Sequence, residues 1–286
     1  MLSIGGYSTQ KAQAIVPIFH RNTLLAPTLA YLVTATCAGL GAPPPGHGHP
    51  PVRWAIPKRY RSALVAHRLR YFPVKLLALT FDDGPDPRIT PTILKALQAV
   101  HAHATFFVLG RNARRFPNLV RAEAEAGHCV GSHSYSHPAY TNSRQAIQEL
   151  DATQRAIADA AGAPPTLFRP PYGITRGQLA VTARRKGYAV VTWTISSADT
   201  RPISPEQIAK NVIYTPNPGD IVLMHDGAGH RATAAAVPLI LKALSARGWR
   251  FVTVPELLQA WAEWEAQPRN VRGSSSTRNR TIAHPR

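Results

Sequence analysis

Acidic residues are scarce in this 286-residue chain: 15 Asp and Glu stand against 33 Lys and Arg, for a formal net charge of +18. A surplus of that size suggests nucleic acid or an anionic surface as a partner. Its distribution argues otherwise. Residues 1–71 hold eight basic residues and no acidic one, and residues 267–286 hold five and none, so 13 of the 18 net charges belong to the two ends. The stretch between them is only mildly basic and carries no recognised nucleic-acid motif, so no specific nucleic-acid partner is expected. The ends read as solvated basic segments, or as segments resting on acidic lipid or wall polymer.

Cysteine is nearly absent. Cys37 lies in an N-terminal apolar run and Cys129 in the middle of the chain, so no disulfide is expected between them. No repeat of solenoid period occurs. The apolar run, residues 24–40, follows His20 and Arg21 and precedes Pro43, Pro44 and Pro45. This order reads as an export signal or a membrane anchor, since 17 residues is short for a spanning helix and slightly long for a signal core. Thr34, Ala35 and Thr36 before Cys37 lack the Leu and Gly or Ala of a lipidation box.

From residue 76 onward, short apolar runs alternate with amphipathic stretches, the pattern of strands separated by helices. Strands are predicted over 76–81, 104–109, 130–132, 167–169, 188–194, 221–225 and 250–253. Helices are predicted over 89–100, 118–126, 143–161, 176–186, 205–214, 232–246 and 255–265. Ser204 before Pro205 is a start signal, and Gly127, Gly162, Gly187 and Gly248 each close a helical pattern. Seven strand–helix units imply an α/β fold, a distorted (β/α) barrel of about seven parallel strands, whose reactive residues gather at the C-terminal strand ends. Polar residues costly to bury do follow the strands: Asp82 and Asp83 the first, His133 the third, Arg169 the fourth, Asp199 the fifth, His225 and Asp226 the sixth.

Each feature also has a plain structural reading. Asp82, Asp83, Gly84 and Pro85 would make an ordinary turn. Two adjacent carboxylates at a strand end nevertheless point in different directions, so one can bind a metal while the other faces a water. His133 and His137 have the i, i+4 spacing that puts two imidazoles on one face of a helical turn. With an aspartate they make three protein ligands and leave a position for water. A divalent metal held so would polarise a carbonyl and acidify its water, which is what amide hydrolysis lacks in neutral solution. His225, after an apolar strand, could donate a proton to a leaving amine, although a histidine at a strand end is more often structural.

Together these residues resemble the polysaccharide deacetylases, carbohydrate esterase family four, with their nodulation-protein-type deacetylase homology domain. Thr80-Phe81-Asp82-Asp83-Gly84-Pro85 is similar to the family's first signature and the segment from His133 to His137 to the second. Arg169-Pro170-Pro171-Tyr172-Gly173 resembles the third, Asp199 falls at an Asp of the fourth, and Leu223-Met224-His225 resembles the fifth. The resemblance implies Asp82 as general base, and Asp83, His133 and His137 as ligands of a divalent metal, usually zinc, with cobalt or another transition metal as alternatives. It implies Arg169 as holder of the base, Asp199 as the acid that tunes the catalytic histidine, and His225 as proton donor to the sugar amine. The backbone N–H of Tyr172 would stabilise the oxyanion and Leu223 would line the acetyl pocket. The implied domain plan is an export signal or anchor at 1–42, a linker at 43–71, a catalytic domain at 72–265 and a basic disordered tail at 266–286.

The fourth motif departs from the family pattern. Ser196-Ser197-Ala198-Asp199-Thr200 follows Trp193 where Asp-x-x-Asp-Trp is frequent, so Thr200 removes a large apolar wall; Trp193 and Trp249 could replace it, but as aromatic residues in strands both read as core. The expected reaction is hydrolysis of N-acetyl groups on peptidoglycan, a chitin-like glycan or an exported polysaccharide, with the N-acetylated glycan as partner. An O-acetyl esterase on xylan-type sugars and an inactive sugar-binding homologue are the competing readings. Residues 24–40 are expected to export the domain, cleaved or anchored. Fractionation should find the protein outside the cytoplasmic membrane, and a full-length product confined to the cytosol would defeat that expectation.

Overall fold

The computed structural model describes residues 54–268. The apolar run 24–40, Cys37 and the tail from residue 269 lie outside the described residues. The strands are β1 (Leu64–Val65), β2 (Leu76–Asp82), β3 (Thr105–Val108), β4 (Cys129–Ser132), β5 (Leu167–Phe168), β6 (Ala189–Val191), β7 (Ile195–Ser196), β8 (Asp220–His225) and β9 (Arg250–Phe251). The helices are α1 (Thr90–Gln98), α2 (Gly110–Arg115), α3 (Pro117–Glu125), α4 (Ser143–Ala161), α5 (Gln178–Arg185), α6 (Pro205–Ile213), α7 (Arg231–Ser245) and α8 (Val254–Ala266).

The strands form one all-parallel sheet in the order β1-β6-β5-β4-β3-β2-β8-β7, with β9 added against the first residues of β2. The sheet is a distorted, incomplete β/α barrel. Its centre is β2, where all seven residues are buried, as expected of a strand covered on both faces. Alternation sends Leu77, Leu79 and Phe81 to one face, where Phe81 stacks on Phe106 with centroids 5.1 Å apart. Ala78, Thr80 and Asp82 share the other face. That face carries the polar residues.

Helix ends follow the expected chemistry. Ser204 caps α6 by accepting from Gln207 N–H, and Asn142 with Gln145, like Thr253 with Glu256, forms a reciprocal cap at the start of α4 and α8. Gly162 ends α4 in the left-handed region at φ 78°, where a side chain would be strained.

The structure differs from the sequence reading in four places. Nine strands occur among the described residues rather than about seven, because β1 lies among basic residues before the strand–helix alternation with only Val65 buried, and β7 follows closely on the run read as a single strand over 188–194. Helix α2 was not predicted, since GRNARR buries only Gly110 and Ala113 and carries no apolar stripe. His133 to His137 is not a helical turn: Ser134 and His137 have φ of 66° and 65°, and the segment is a loop. Residues 54–71, expected as the end of a linker, belong to the packed domain. Val65 pairs with Val191, and Trp54, Ile56 and Val65 are buried in the main core.

Trp54 ties that segment down by donating from its indole to the His128 carbonyl at 3.0 Å, while its own carbonyl accepts from Thr166. Replacing Trp54 by Ala should cost about 3 kcal/mol or more, the range for deleting a buried aromatic. A urea midpoint unchanged by that substitution would show that the segment does not contribute to the domain.

Candidate active site

The register of the sheet assembles the site. Asp82 ends β2 opposite His225, which ends β8, and in the same register Thr80 lies opposite Leu223. Leu223 and His225, two residues apart, therefore share the face of Asp82 and Thr80. The loops after β4 and β5 deliver His133 and Arg169 to the same end of the barrel.

Arg169 is fully buried, and its hydrogen bonds reach residues far from it in the chain. Its Nη1 donates to Asp82 Oδ1 at 2.8 Å and to Thr80 Oγ1 at 2.6 Å, Nη2 to the Thr192 carbonyl at 3.0 Å and Nε to the Val191 carbonyl at 3.3 Å. The guanidinium also lies 4.1 Å from the Phe107 ring centroid. Burial pulls its pKa below the usual arginine value while the Asp82 charge opposes that pull. Asp82 Oδ1 is thus occupied, and Oδ2 is left facing His133 Nε2 at 3.8 Å.

Asp83 Oδ1 lies 3.6 Å from both His133 Nε2 and His137 Nε2, and it is buried with no hydrogen-bond partner. Ligand atoms about 2.0–2.2 Å from a tetrahedral metal are separated by roughly 3.3 Å, so this triad fits a divalent cation. Its histidines are prepared for it. His133 Nδ1 lies 2.7 Å from the Arg169 carbonyl, to which it can only donate, and its Nε2 is therefore the lone-pair nitrogen. Burial, followed by the neighbouring His133, holds His137 below the ordinary imidazole pKa and so in the neutral, ligating form. The loop that carries both is braced by Glu149 of α4, whose carboxylate accepts from Tyr135 N–H, Ser136 N–H and Ser136 Oγ at 2.7, 2.8 and 2.6 Å.

Across the site, Asp199 Oδ1 accepts from His225 Nδ1 at 2.9 Å, and Oδ2 accepts from His225 N–H and Thr233 Oγ1 at 2.7 Å each. Burial alone would lower the His225 pKa. The bond from Asp199, with the charges of Asp82, Asp199 and Asp83, outweighs burial and pushes it up to about 9. Burial would raise Asp199, but its bonds to His225 and Thr233 hold it below the usual carboxylate value. The result is an imidazolium beside a carboxylate, with Nε2 left for a substrate.

The profile of the polysaccharide deacetylase family matches residues 70–191. A peptidoglycan-N-acetylglucosamine deacetylase of Bacillus cereus is 38% identical over 192 residues, 65% of this chain and 70% of that protein. This chain belongs to the polysaccharide deacetylase family. The peptidoglycan-N-acetylglucosamine deacetylase PgdA of Listeria monocytogenes is 40% identical over 185 residues, 64% of this chain but 39% of that protein, so the chain spans about two fifths of its length. The crystal structure of a peptidoglycan N-acetylglucosamine deacetylase superimposes with a TM-score of 0.65 at 36% identity, covering 69% of this chain and 93% of that one.

All nine site residues read from the sequence of this polysaccharide deacetylase converge on one end of the barrel. Leu223 is buried in β8, and Tyr172, at φ 57°, is exposed with its ring 4.6 Å from that of His137. In the altered fourth motif, Ser196 pairs in register with Leu223 and its hydroxyl accepts from Ala198 N–H, while Thr200 is exposed. Trp249 is core. Trp193 is half-buried, 5.8 Å from the Arg169 guanidinium, and a Cβ on Gly173 would meet its ring at 2.9 Å.

The sequence reading missed several partners. Asn112 donates to the Asp83 carbonyl at 2.8 Å, and the His230 ring stacks on His225 at 4.9 Å with Nδ1 3.9 Å from Asp199. Glu149 and Thr233 were missed with them. None sits in a motif, and only tertiary structure brings them in. Asp226 was noticed as a residue at a strand end but given no role. It is fully buried, accepts from Thr90 Oγ1 at 2.5 Å, and packs so closely on Gly84 that no Cβ would fit there. Burial, reinforced by Asp82 and Asp83, pushes its carboxyl up to about 7.

The Asp199–His225 pair sets the sign of a pH dependence. His225 holds its proton below about 9, so a rate that needs this proton should fall as pH rises through that value. In Asp199→Asn the anionic partner is gone and burial is left to lower the pKa, so the falling limb should move to lower pH. A kcat/KM profile whose alkaline limb stays in place in the variant would remove His225 as the titrating acid.

Proposed function

We propose that this polysaccharide deacetylase hydrolyses N-acetyl groups of an amino-sugar polymer, and that the polymer is peptidoglycan, the substrate in the names of its relatives. The carrying observation is the Asp83–His133–His137 triad with Asp82 at its side and the charged His225 in register across the sheet. Three protein ligands with an open position are the composition of a catalytic zinc site, and we assign zinc, with cobalt as the alternative. A metal held there supplies Lewis-acid polarisation of the acetyl carbonyl and lowers the pKa of a bound water.

The chain supplies the proton transfers and the positioning. Arg169 engages Asp82 Oδ1, so Oδ2 is the oxygen left to take the proton of the attacking water. As water adds to the acetyl carbon, the Tyr172 N–H serves as oxyanion donor, and Leu223 lines the space for the methyl group. The amide nitrogen leaves only once protonated. His225 Nε2 delivers that proton while Asp199 holds Nδ1–H and balances the charge. The C–N bond then breaks to give the free sugar amine and acetate. An amide nitrogen leaves less readily than an alkoxide and needs protonation more, so a proton donor paired with Asp199 favours N-acetyl over O-acetyl substrates. Retention of the complete ligand, base and acid set speaks against an inactive sugar-binding homologue.

Peptidoglycan lies outside the cytoplasmic membrane, and we place the enzyme there, exported or anchored through residues 24–40. Among the described residues, no helix is long and apolar enough to cross a membrane.

Replacing Asp82 by Asn should leave metal content unchanged and lower turnover by about 10²-fold or more, the scale of a lost general base. His225→Ala should damage amide cleavage more than cleavage of an activated acetyl ester, whose leaving group needs little protonation. His133→Ala, or a chelator, should depress both substrates together. Acetate release from chitooligosaccharide should exceed release from acetylated xylan. Equal losses on amide and ester in His225→Ala with metal retained would contradict the assigned acid, and full activity without metal would contradict the site.

A further inference from the structure

Asp83 and His137 of the triad line a cavity of about 590 Å³ whose wall also includes His230, Arg111 and Arg115. The arginines lie four residues apart on α2, the spacing that puts both on one helix edge. That helix is locked to the metal ligands: Gly110 N–H and Arg111 N–H donate to the Ser134 and Tyr135 carbonyls at 2.9 and 3.1 Å, and Asn112 holds the Asp83 carbonyl. The helix that carries the two cations is therefore held in place relative to the reaction centre, with both side chains exposed on it.

Their charge is not spent within the chain. Arg59, Arg68 and Arg169 each have a carboxylate partner, whereas among the described residues neither Arg111 nor Arg115 forms an ion pair. The Arg115 guanidinium lies 5.1 Å from the Phe116 ring centroid. Asp83 is the one acidic residue on the cavity wall, and it belongs to the metal site. A cavity with two unspent guanidinium forks beside a cation site suits an anion. The planar fork matches a carboxylate in bidentate geometry.

We infer that Arg111 and Arg115 form a subsite for a carboxylate carried by the substrate glycan, so that the enzyme binds acidic amino-sugar polymers in preference to neutral ones. The inference rests on the deacetylase reading and adds to it the chemical class of the substrate. In peptidoglycan the carboxylate has two sources, the lactyl ether of a muramic acid unit and the stem peptide attached to it. Both present the same group to the arginines.

The test is binding of three tetrasaccharides of alternating N-acetylglucosamine and N-acetylmuramic acid to the zinc-loaded full chain carrying Asp82→Asn, by titration calorimetry. One has free lactyl carboxylates, one has them capped as neutral methyl amides, and one carries a stem dipeptide ending in a carboxylate. At low ionic strength at least one acidic form should bind about tenfold more tightly than the capped form, the scale of one charge-assisted hydrogen bond, and salt should erode the difference. The form that gains names the source. Adding Arg111→Gln and Arg115→Gln should bring the ratio of affinities near one, with the basic chain ends unchanged as an internal control. Equal binding of capped and acidic forms, or a preference that survives the double substitution, would overturn the subsite. Failure of the deacetylase reading is separate: it is read as no acetate released from any of these sugars by the wild-type chain.

Discussion

The buried ion pair between Arg169 and Asp82 is the contact on which the rest of the site depends. Burying a guanidinium is tolerable only when its donors and its charge are satisfied, and breaking such a pair leaves an uncompensated charge that typically costs several kcal/mol. Arg169 meets that condition with a carboxylate, a hydroxyl, two carbonyls and an aromatic face. These partners come from β2, β3, β6 and the residue after β6. The arginine therefore ties the inner face of the sheet together and decides which Asp82 oxygen remains for chemistry. Its carbonyl also accepts from the His133 ring, so one residue orients both Asp82 and a member of the candidate metal triad.

The surrounding backbone is held under strain. Asp83, Ser134, His137, Tyr172 and Ala198 all have φ between 57° and 71°, and all lie in the loops that build the site. A non-glycine residue in this region costs of order 1–3 kcal/mol and persists only where its surroundings enforce it. Asn112 on the Asp83 carbonyl, Ser134 Oγ on His137 N–H and Glu149 on the intervening loop supply that enforcement.

What could be read from the sequence followed from what is contiguous in it. Asp82, Asp83, His133, Arg169 and His225 each come directly after an apolar run, so the barrel rule alone grouped them. The i, i+4 spacing of His133 and His137 pointed to two rings that do lie together beside Asp83, but it implied the wrong backbone, because spacing records separation and not φ. Ser134 and His137 take left-handed values that no propensity favours. Strand β1 escaped notice because it buries only Val65 and lies among basic residues, and the partners Asn112, Glu149, Thr233 and His230 because each acts across 5–34 residues of chain with no motif around it.

The Glu149 brace bears on how the protein relates to its ion. In small metal-nucleated domains the cation drives folding, and stripping it unfolds the chain. Here three hydrogen bonds from α4 shape the ligand loop, and that helix is anchored by Leu150 and Ile157 in the core. The conformational entropy of ordering the ligands is absorbed when the domain folds. A cation arriving at this candidate site would meet a finished scaffold, so supply and ligand preference would decide which ion binds, rather than whether the fold can exist without it.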